Sequence, residues 1–392
     1  MRIPRSRQAV VALSTAGLLL SVAACGGGSG SSSSAASSGS GGGSLPAVIK
    51  VAGIEPETGP AAFAGLAAEK GYKLAIAQIN DQKFLGDKTK LEVAFTDTKG
   101  QIPTAASAVS TAVADKTVAA AFGSVSSQEA VAQSPLAQQG GLPIIYTQAG
   151  SEGVVVGDYT YRATPLMSTY YGVLQDFVKK NGWKTVGVIY TSTPTLVEVA
   201  TKSIPALGLN VVASVNTTPT TQDFAPAISQ VLAKKPDVVS ILQVGASNPT
   251  AMTQLRQAGY TGTVLGNSGA SAGNLKPAGA NGKGMVWAVD FHREQTAASS
   301  QDFVKAYKAQ YNEAPLNYAA EAYDAAWFLA RSIKDVGSAD RAKIKEGMAS
   351  VAKKPFTGAL GKDLAWKAQT IQVGGAAVQW DGTTDKLLYA AK

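Results

Sequence analysis

The sequence has 392 residues but only one cysteine, Cys25, and one histidine, His292. A single cysteine excludes an intramolecular disulfide, so an exported domain of this chain must depend on its hydrophobic core. A single histidine leaves no partner for an HExxH pair or a Cys/His metal cluster, and the sequence contains no Gly-x-Ser-x-Gly elbow. We therefore expect no metal, no cofactor and no enzyme activity, and we expect His292 to lie in a solvated loop.

The amino-terminal apolar run is too short for a membrane-spanning helix. It covers residues 9–24, is interrupted by Ser and Thr, and follows Arg2, Arg5 and Arg7, whereas a spanning helix needs ~20 apolar residues. This arrangement predicts a secretory signal peptide at residues 1–24.

The segment after the signal peptide indicates a membrane anchor. Val22-Ala23-Ala24 directly before Cys25 resembles the lipobox of bacterial lipoproteins, which implies that Cys25 is lipidated. A lone cysteine in an ordinary signal peptide is the alternative. Residues 25–45 are nearly all Gly and Ser, a composition typical of a flexible tether. We expect the folded part to be exported and held at the outer face of the bacterial cytoplasmic membrane.

Dense positive charge is also missing. Removal of the three arginines in the signal peptide lowers the formal net charge from +8 to +5. The remaining Lys and Arg residues are scattered, with no basic stripe interleaved with aromatic residues. We expect no nucleic-acid partner.

From Ile49 the chain alternates short β-branched runs with helical patterns, which predicts parallel sheets covered by helices. The predicted strands of a first half are residues 49–54, 91–96, 118–122 and 143–147, and those of a second half are residues 185–190, 210–215, 238–242, 263–265 and 285–289.

The carboxyl-terminal part breaks this alternation with three helical patterns at residues 300–312, 316–333 and 339–351, and a predicted hairpin follows, with strands 370–373 and 377–380 on either side of Gly374-Gly375. A helical block so late predicts that the chain crosses back to the first lobe after Asp290 and returns to the second near Pro355. We expect an α/β fold of two doubly wound Rossmann-like lobes joined by three hinge crossings. The first lobe is residues 46–164 plus 291–354, and the second is residues 165–290 plus 355–392.

Polar loops follow two neighbouring strands of the predicted first sheet. Ser126 and Glu129 have the spacing of a capping box, so Ser126 and Ser127 should stand at a helix N-terminus, which favours anions. The loop of residues 147–151 should open at the same edge, where open α/β sheets bind ligands. Ordinary helix capping is the alternative explanation for these serines.

The order of the motifs resembles that of the type I periplasmic binding proteins, specifically the branched-chain amino-acid-binding (leucine-binding-like) branch of ABC transporter substrate-binding proteins. The motifs are Thr58-Gly59-Pro60, Asp97, Gly123 with Ser126-Ser127, Gly141-Leu142-Pro143-Ile144-Ile145, Arg162, Asp223-Phe224, Pro236-Asp237-Val238-Val239 and Ala322-Tyr323-Asp324-Ala325. The resemblance extends from Ile49 to the end of the chain. It implies a monomeric protein that captures a small polar organic solute or amino acid and delivers it to the permease and ATPase subunits of an ABC importer. The alternative is a tethered sensor that presents its solute to a membrane receptor.

The resemblance also implies a ligand site between the lobes. A ligand carboxylate would lie against Ser126 and Ser127, while the Ala149 carbonyl and the Ser151 hydroxyl would face an ammonium group. The candidate ligand-binding residues are Phe63, Ser126, Ser127, Gln148, Ala149, Gly150, Ser151, Thr193, Gln243 and Ser268.

The second lobe departs from the family pattern at two positions. Thr193 lies in a loop where the family tends to have Tyr-Gly, and Ser268 lies where it often has an acid. The counter-charge for an ammonium is therefore missing, which leaves three alternatives. Glu55 or Glu57 replaces it, neutral oxygens replace it, or the ligand has no ammonium. Because Gln148 and Gln243 suit amide, hydroxyl or carbonyl groups, we favour a small polar or amphipathic organic solute over leucine.

Overall fold

The computed structural model describes residues 45–271 and 273–391. Cys25, the predicted signal peptide and most of the Gly/Ser tether lie outside this part of the chain. The strands are β1 (Val48–Glu55), β2 (Lys90–Asp97), β3 (Val118–Gly123), β4 (Ile144–Tyr146), β5 (Thr160–Arg162), β6 (Thr185–Thr191), β7 (Asn210–Thr217), β8 (Val238–Leu242), β9 (Val264–Leu265), β10 (Met285–Val289), β11 (Phe356–Gly358), β12 (Gly361–Leu364), β13 (Trp366–Lys367), β14 (Thr370–Ile371), β15 (Ala376–Trp380) and β16 (Asp385–Ala390).

The α-helices are α1 (Ala62–Asp81), α2 (Ile102–Ala114), α3 (Ser127–Gly140), α4 (Met167–Tyr171), α5 (Gln175–Lys180), α6 (Pro194–Glu198), α7 (Ile204–Ala206), α8 (Ala225–Leu232), α9 (Ser247–Gln257), α10 (Ala298–Tyr311), α11 (Asn317–Val336) and α12 (Arg341–Val351). A π-helical turn, Val199–Ser203, connects α6 to α7, and 3-10 turns occupy Gly172–Leu174, Ser268–Ala270 and Lys276–Gly282. None of the helices in residues 45–271 and 273–391 is both long and apolar enough to cross a membrane.

The first lobe is built on a seven-stranded sheet of order β13-β14-β5-β4-β3-β1-β2. In this sheet β2, β1, β3, β4, β5 and β14 run parallel to one another, and the edge strand β13 is antiparallel to β14. The chain direction across the sheet reverses between β1 and β3, so the loops after these strands diverge and leave a crevice at the carboxyl edge.

The second lobe repeats this arrangement in a sheet of order β16-β15-β10-β9-β8-β6-β7. Strands β6 to β10 are parallel, while β15 and β16 form an antiparallel edge. The corresponding crevice lies between β6 and β8, so each lobe presents the loops at its carboxyl edge as a ligand-binding surface. The predicted fold of two doubly wound lobes is confirmed.

The chain passes between the two sheets three times, after β5, after β10 and after β14. The third passage differs from the prediction, which placed it near Pro355. Strands β11 to β14 stay with the first lobe, where Phe356 and Ile371 are buried and Trp366 stacks on Phe328 at 4.2 Å. The predicted hairpin is therefore wrong, because β14 and β15 belong to different sheets and the two glycines lie in the crossing between them.

The core of the first lobe depends on the close approach of α1 and α11. A Cβ added at Gly71 would lie 2.1 Å from the carbonyl oxygen of Ala319, so only glycine allows this distance between the helices. Ala68 and Ala322 are fully buried in the same cluster, and Tyr72 stacks on Phe122 of β3 at 4.2 Å. This packing fixes α11, a helix late in the chain, against the first sheet and next to the ligand-binding edge.

Candidate functional site

A cavity of about 230 Å³ lies between the carboxyl edges of the two sheets. Seven of the predicted site residues line it, namely Phe63, Ser126, Ser127, Gln148, Thr193, Gln243 and Ser268. Pockets for drug-sized ligands measure roughly 300–1,000 Å³. The cavity therefore suits a smaller solute that contacts both lobes at once.

The N-terminus of α3 opens on this cavity. Ser126 is the N-cap residue in an extended conformation, and Ser127 is the first helical residue. The Ser126 side chain makes no capping hydrogen bond, while the Ser127 Oγ accepts a hydrogen bond from the backbone N–H of Ser151 at 3.3 Å. The helix end therefore keeps backbone donors and its positive dipole directed at the cavity.

The predicted capping box is not formed. The carboxylate of Glu129 accepts hydrogen bonds from the hydroxyls of Ser124 and Thr98, and the backbone N–H of Ser126 donates to the Ser124 Oγ at 3.0 Å. Ser124 thus takes the acceptor role that the spacing had assigned to Glu129, whose carboxylate accepts from the two hydroxyls instead.

The loop of residues 149–151 does not line the cavity, in contrast to the prediction for Ala149, Gly150 and Ser151. The guanidinium of Arg162 donates to the carbonyl oxygens of Ala149 at 3.0 Å and Ser151 at 2.6 Å. The Ser151 hydroxyl lies 2.8 Å from the Thr195 Oγ1 of the opposite lobe. The two groups that the resemblance assigned to an ammonium are thus engaged within the protein.

Arg162 also sets the electrostatics behind this loop. The residue is only 4% exposed, and burial lowers its pKa to about 10, while the charge of Glu198 raises it. The guanidinium is therefore still charged at neutral pH. Its positive charge and the dipole of α3 both disfavour a cationic group on this side of the cavity.

No acidic side chain of the described residues faces this positive region from the cavity wall, and no Lys, Arg or His lines it either. Glu55 is fully buried and accepts a hydrogen bond from the Val125 N–H at 3.0 Å, and burial raises its pKa well above the usual range. Glu57 is half-buried and is not part of the lining. Neither carboxylate reaches the cavity, so the first alternative for an ammonium partner is not realised.

Gln243 has a different role from the predicted one. Its Oε1 accepts hydrogen bonds from Thr191 at 2.7 Å and Thr217 at 3.1 Å, and its Nε2 donates to the Ile189 carbonyl at 3.3 Å. The amide therefore joins the ends of three strands, which engages its oxygen twice and one of its two N–H donors. The neighbouring Asn267 also lines the cavity, and its buried Oδ1 has no donor among the described residues.

Gln148 presents a donor to the cavity. Its Oε1 accepts a hydrogen bond from the Asn317 Nδ2 at 2.6 Å, which fixes the orientation of the amide. The Nε2 is then directed across the cleft, 3.5 Å from the Ser268 Oγ. A ligand group placed between these two side chains would meet an N–H donor from the first lobe and a hydroxyl from the second.

The remaining wall is apolar. Phe63 packs edge-to-face on Tyr318 with ring centroids 5.6 Å apart, and Met167 and Leu196 complete this wall. The positive φ of Gly245 (+45°) brings the second-lobe backbone against Phe63. Tyr318 was not predicted as a site residue, because it comes from α11 and no local motif connects it to the strand ends.

A profile of the periplasmic binding protein family matches residues 48–385. The chain belongs to this family. Among curated relatives, the Leu/Ile/Val-binding protein homolog 7 of Brucella abortus is 25% identical over 331 residues, which cover 78% of this chain and 82% of that protein.

Solved structures place this periplasmic binding protein in the type I, branched-chain amino-acid-binding branch. The leucine binding protein LivK of Thermotoga maritima superposes with a TM-score of 0.78 at 25% identity, covering 86% of this chain and 97% of that one. LivJ of Streptococcus pneumoniae, solved with isoleucine, superposes with a TM-score of 0.78 at 25% sequence identity, covering 87% of this chain and 99% of that one.

The histidine of this periplasmic binding protein lies away from the cavity. His292 is only 4% exposed, contrary to the prediction of a solvated loop, and its Nε2 lies 3.5 Å from the Asp385 Oδ2. Burial alone would raise the pKa of Asp385, but the hydrogen bond with His292 and the charge of Arg293 hold it at about 2. His292 therefore fastens the second crossing to β16, and the described residues contain no cluster of metal-ligating side chains.

A larger open groove of about 850 Å³ lies against α2 on the outer face of β1 and β2. Its lining is made mostly of small side chains such as Ala52, Ala94 and Ser107, and it faces neither crevice of the two sheets. Open α/β sheets bind ligands at the crevice of their carboxyl edge, so we assign ligand binding to the smaller cavity.

Proposed function

We propose that this chain is an extracytoplasmic solute-binding protein that encloses a small organic solute between its lobes and, as a monomer, delivers it to an ABC importer. The observation that supports this function best is the cavity itself, which both carboxyl edges line and the N-terminus of α3 faces. The family consists of binding proteins rather than enzymes, and its relatives include proteins named for leucine, isoleucine and valine.

The electrostatics of the site favour a ligand without an ammonium group. A buried charge without a partner costs several kcal/mol, and the described cavity lining contains no acid. The Arg162 guanidinium, the α3 N-terminus and the Gln148 N–H group all favour an anionic or strongly accepting group. We therefore propose a small carboxylate or carbonyl compound with an apolar body that packs on Phe63 and Tyr318.

Calorimetry with three ligands of one carbon skeleton tests this ligand class. The ligands are leucine, 4-methylpentanoate, which lacks the ammonium, and 4-methylpentanamide, which also lacks the charge. We expect 4-methylpentanoate to bind at least about tenfold more tightly than leucine, because no interaction in the cavity offsets the free-energy cost of desolvating the ammonium of leucine. Submicromolar binding of leucine, isoleucine or valine to the unmodified protein would show that this ligand class is wrong.

A substitution at Ser268 makes the same test in reverse. Ser268→Glu places an acid where Gln148 now meets the second lobe, so it should improve leucine binding and weaken 4-methylpentanoate binding. Ser268→Gln is the matched control, because glutamine has the size of glutamate without its charge. It should improve the binding of neither leucine nor 4-methylpentanoate. An equal effect of both variants on leucine would mean that volume, rather than charge, sets the preference.

We further propose that Cys25 carries the lipid anchor, because small residues precede it directly and a Gly/Ser segment follows. Cys25→Ala should leave the precursor uncleaved or release the protein from the membrane, as judged by fractionation and immunoblotting. A Cys25→Ala protein that is processed and still membrane-bound would contradict this anchor.

A further inference from the structure

Two buried acids, Glu321 and Asp290, occupy the region between the cavity and the crossings. Glu321 belongs to α11 and is fully buried, and Asp290, directly after β10, is 1% exposed. Asp290 accepts a hydrogen bond from the Thr164 hydroxyl at 3.0 Å, and Thr164 lies on the first crossing. The two acids therefore connect both crossings to α11.

Glu321 also contacts the cavity residue Gln148. The backbone N–H of Gln148 donates to the Glu321 Oε2, while the Glu321 Oε1 accepts from the Asn317 Nδ2 at 3.0 Å. Gln148 has a φ of +46°, a left-handed conformation that is costly for a residue other than glycine. The hydrogen bond to Glu321 compensates for this strain, because the N–H group would otherwise be buried without an acceptor.

We propose that Glu321 is a positioning residue of the ligand site, which, hydrogen-bonded to Asp290 beside the second crossing, holds Gln148 so that its side-chain amide donates into the cleft. This inference rests on the solute-binding function proposed above. None of the side-chain atoms of Glu321 lines the cavity, so its effect on the ligand is exerted through Gln148.

The surroundings require a proton in this pair. The Asp290 Oδ1 is buried and accepts no direct hydrogen bond from the described residues, and the Glu321 carboxyl group lies close enough to donate one to Asp290. Two carboxylates at such a distance cannot both be ionised without a nearby cation. Glu321 therefore carries a proton and donates it to Asp290.

The other titratable groups facing the pair provide no cation. They are Tyr72 on α1, Tyr170 on α4, and Tyr318 and Asp324 on α11. His292, next on the second crossing, is directed at Asp385. Burial is the main cause that raises the pKa of Glu321 well above its usual range, and the charge of Asp290 adds to it. Burial also raises the pKa of Asp290.

The shared proton makes ligand binding depend on pH. Asp290 lies at the second crossing and Glu321 on α11, so a closure that bends the chain at the crossings should hold the shared proton more firmly than the open form does. Affinity should then be constant below the pKa of Glu321 in the open form. It should fall as pH rises from that value to the higher pKa of the closed form, by at most about tenfold per pH unit for one proton.

The test measures binding of 4-methylpentanoate and leucine by calorimetry from pH 5 to 8 in buffers of different ionisation enthalpy. Glu321→Gln, which mimics the protonated acid, should keep the affinity seen at pH 5 and lose the pH dependence and the proton uptake. Glu321→Ala should weaken binding at least about tenfold at every pH. Asp324→Asn is the matched control, since Asp324 is buried on the same helix but accepts from Ala359 and Leu360. It should keep the pH profile of the unmodified protein.

A folded Glu321→Ala protein with unchanged affinity, or a Glu321→Gln protein with an unchanged pH profile, would overturn the proposal. If the unmodified protein binds neither probe, the proposed ligand class is wrong, and the role of Glu321 is then tested in the ligand-free protein.

The contribution of Glu321 to the free energy of unfolding is present below its pKa in the unfolded chain. It is lost as pH rises through its pKa in the folded protein. The melting temperature of Glu321→Gln relative to the unmodified protein should therefore rise with pH, and the Gln148 amide proton resonance should titrate over the same range. The proposal would be overturned if the difference in melting temperature between the two proteins stayed constant with pH and the Gln148 amide proton resonance did not titrate.

Discussion

Ser126 and Ser127 lie at the N-terminus of α3, and their hydroxyls make few hydrogen bonds within the protein. Ser126 caps nothing with its side chain, and Ser127 accepts one long hydrogen bond from Ser151. Hydrogen bonds to charged groups contribute about 1.5–3 kcal/mol. Ser126→Ala combined with Ser127→Ala should therefore weaken 4-methylpentanoate binding at least about tenfold in calorimetry, with little change in the melting temperature of the free protein.

Asp340 provides the matched control for this double variant. Its carboxylate caps α12 through the backbone N–H groups of Ala342 and Lys343, and it is not part of the cavity lining. Asp340→Ala should cost about 0.5–2 kcal/mol of stability and leave ligand affinity unchanged. If the serine variant likewise loses stability and keeps its ligand affinity, the serines are helix caps rather than ligand contacts.

The limits of prediction are clear at single residues. Ser126 and Ser268 could be predicted because each follows a strand end, and Phe63 because it lies in the first turn of the helix after β1. Ala149 and Gln243 lie at equivalent places, but Arg162 donates to the Ala149 carbonyl, and the hydroxyls of two other strands donate to the Gln243 Oε1. Those partners are distant in sequence, so no local pattern reveals that the groups are already paired.

Among elements, strands with continuous apolar runs were the most predictable. Strands β8 and β10 have the predicted bounds, because both are buried on both faces and their residues are apolar apart from Ser240. Strands β13 and β14 have two residues each, and β14 exists because it pairs with β5 at Arg162. Tertiary pairing rather than local sequence defines such short strands.

The helical region after β6 shows the same limit. The Thr193-Pro194 pair correctly predicts a helix start, and the Thr193 hydroxyl accepts from the Leu196 N–H at 3.5 Å. The helix then widens into the π-helical turn Val199–Ser203, which a regular period of 3.6 residues does not predict. The turn before it carries Thr195 and Glu198, both directed at the first lobe.

At the scale of the whole molecule, the lobes touch on both sides of the cavity. Tyr318 donates to the Ser268 carbonyl at 3.2 Å, and Ser151 meets Thr195 at 2.8 Å. The ion pair of Lys202 with Glu152 at 3.0 Å is exposed at both ends, and such pairs contribute little. The free energy for closure must therefore come mainly from the enclosed ligand and the buried contacts.

Closure on the ligand is the expected motion, because contacts from both lobes can form together only when the chain bends at its three crossings. Small-angle scattering of the unmodified protein should show a smaller radius of gyration with saturating 4-methylpentanoate. In a chain with Cys25→Ser, the pair Ser151→Cys and Thr195→Cys places two thiols at a position where the hydroxyl oxygens are 2.8 Å apart. Oxidation should give the ligand-free variant the scattering profile of the ligand-saturated protein and block ligand exchange until reduction, while each single-cysteine variant exchanges ligand normally. An oxidised pair that still exchanges ligand, or an unmodified protein whose profile does not respond to it, would mean that binding does not require the lobes to move.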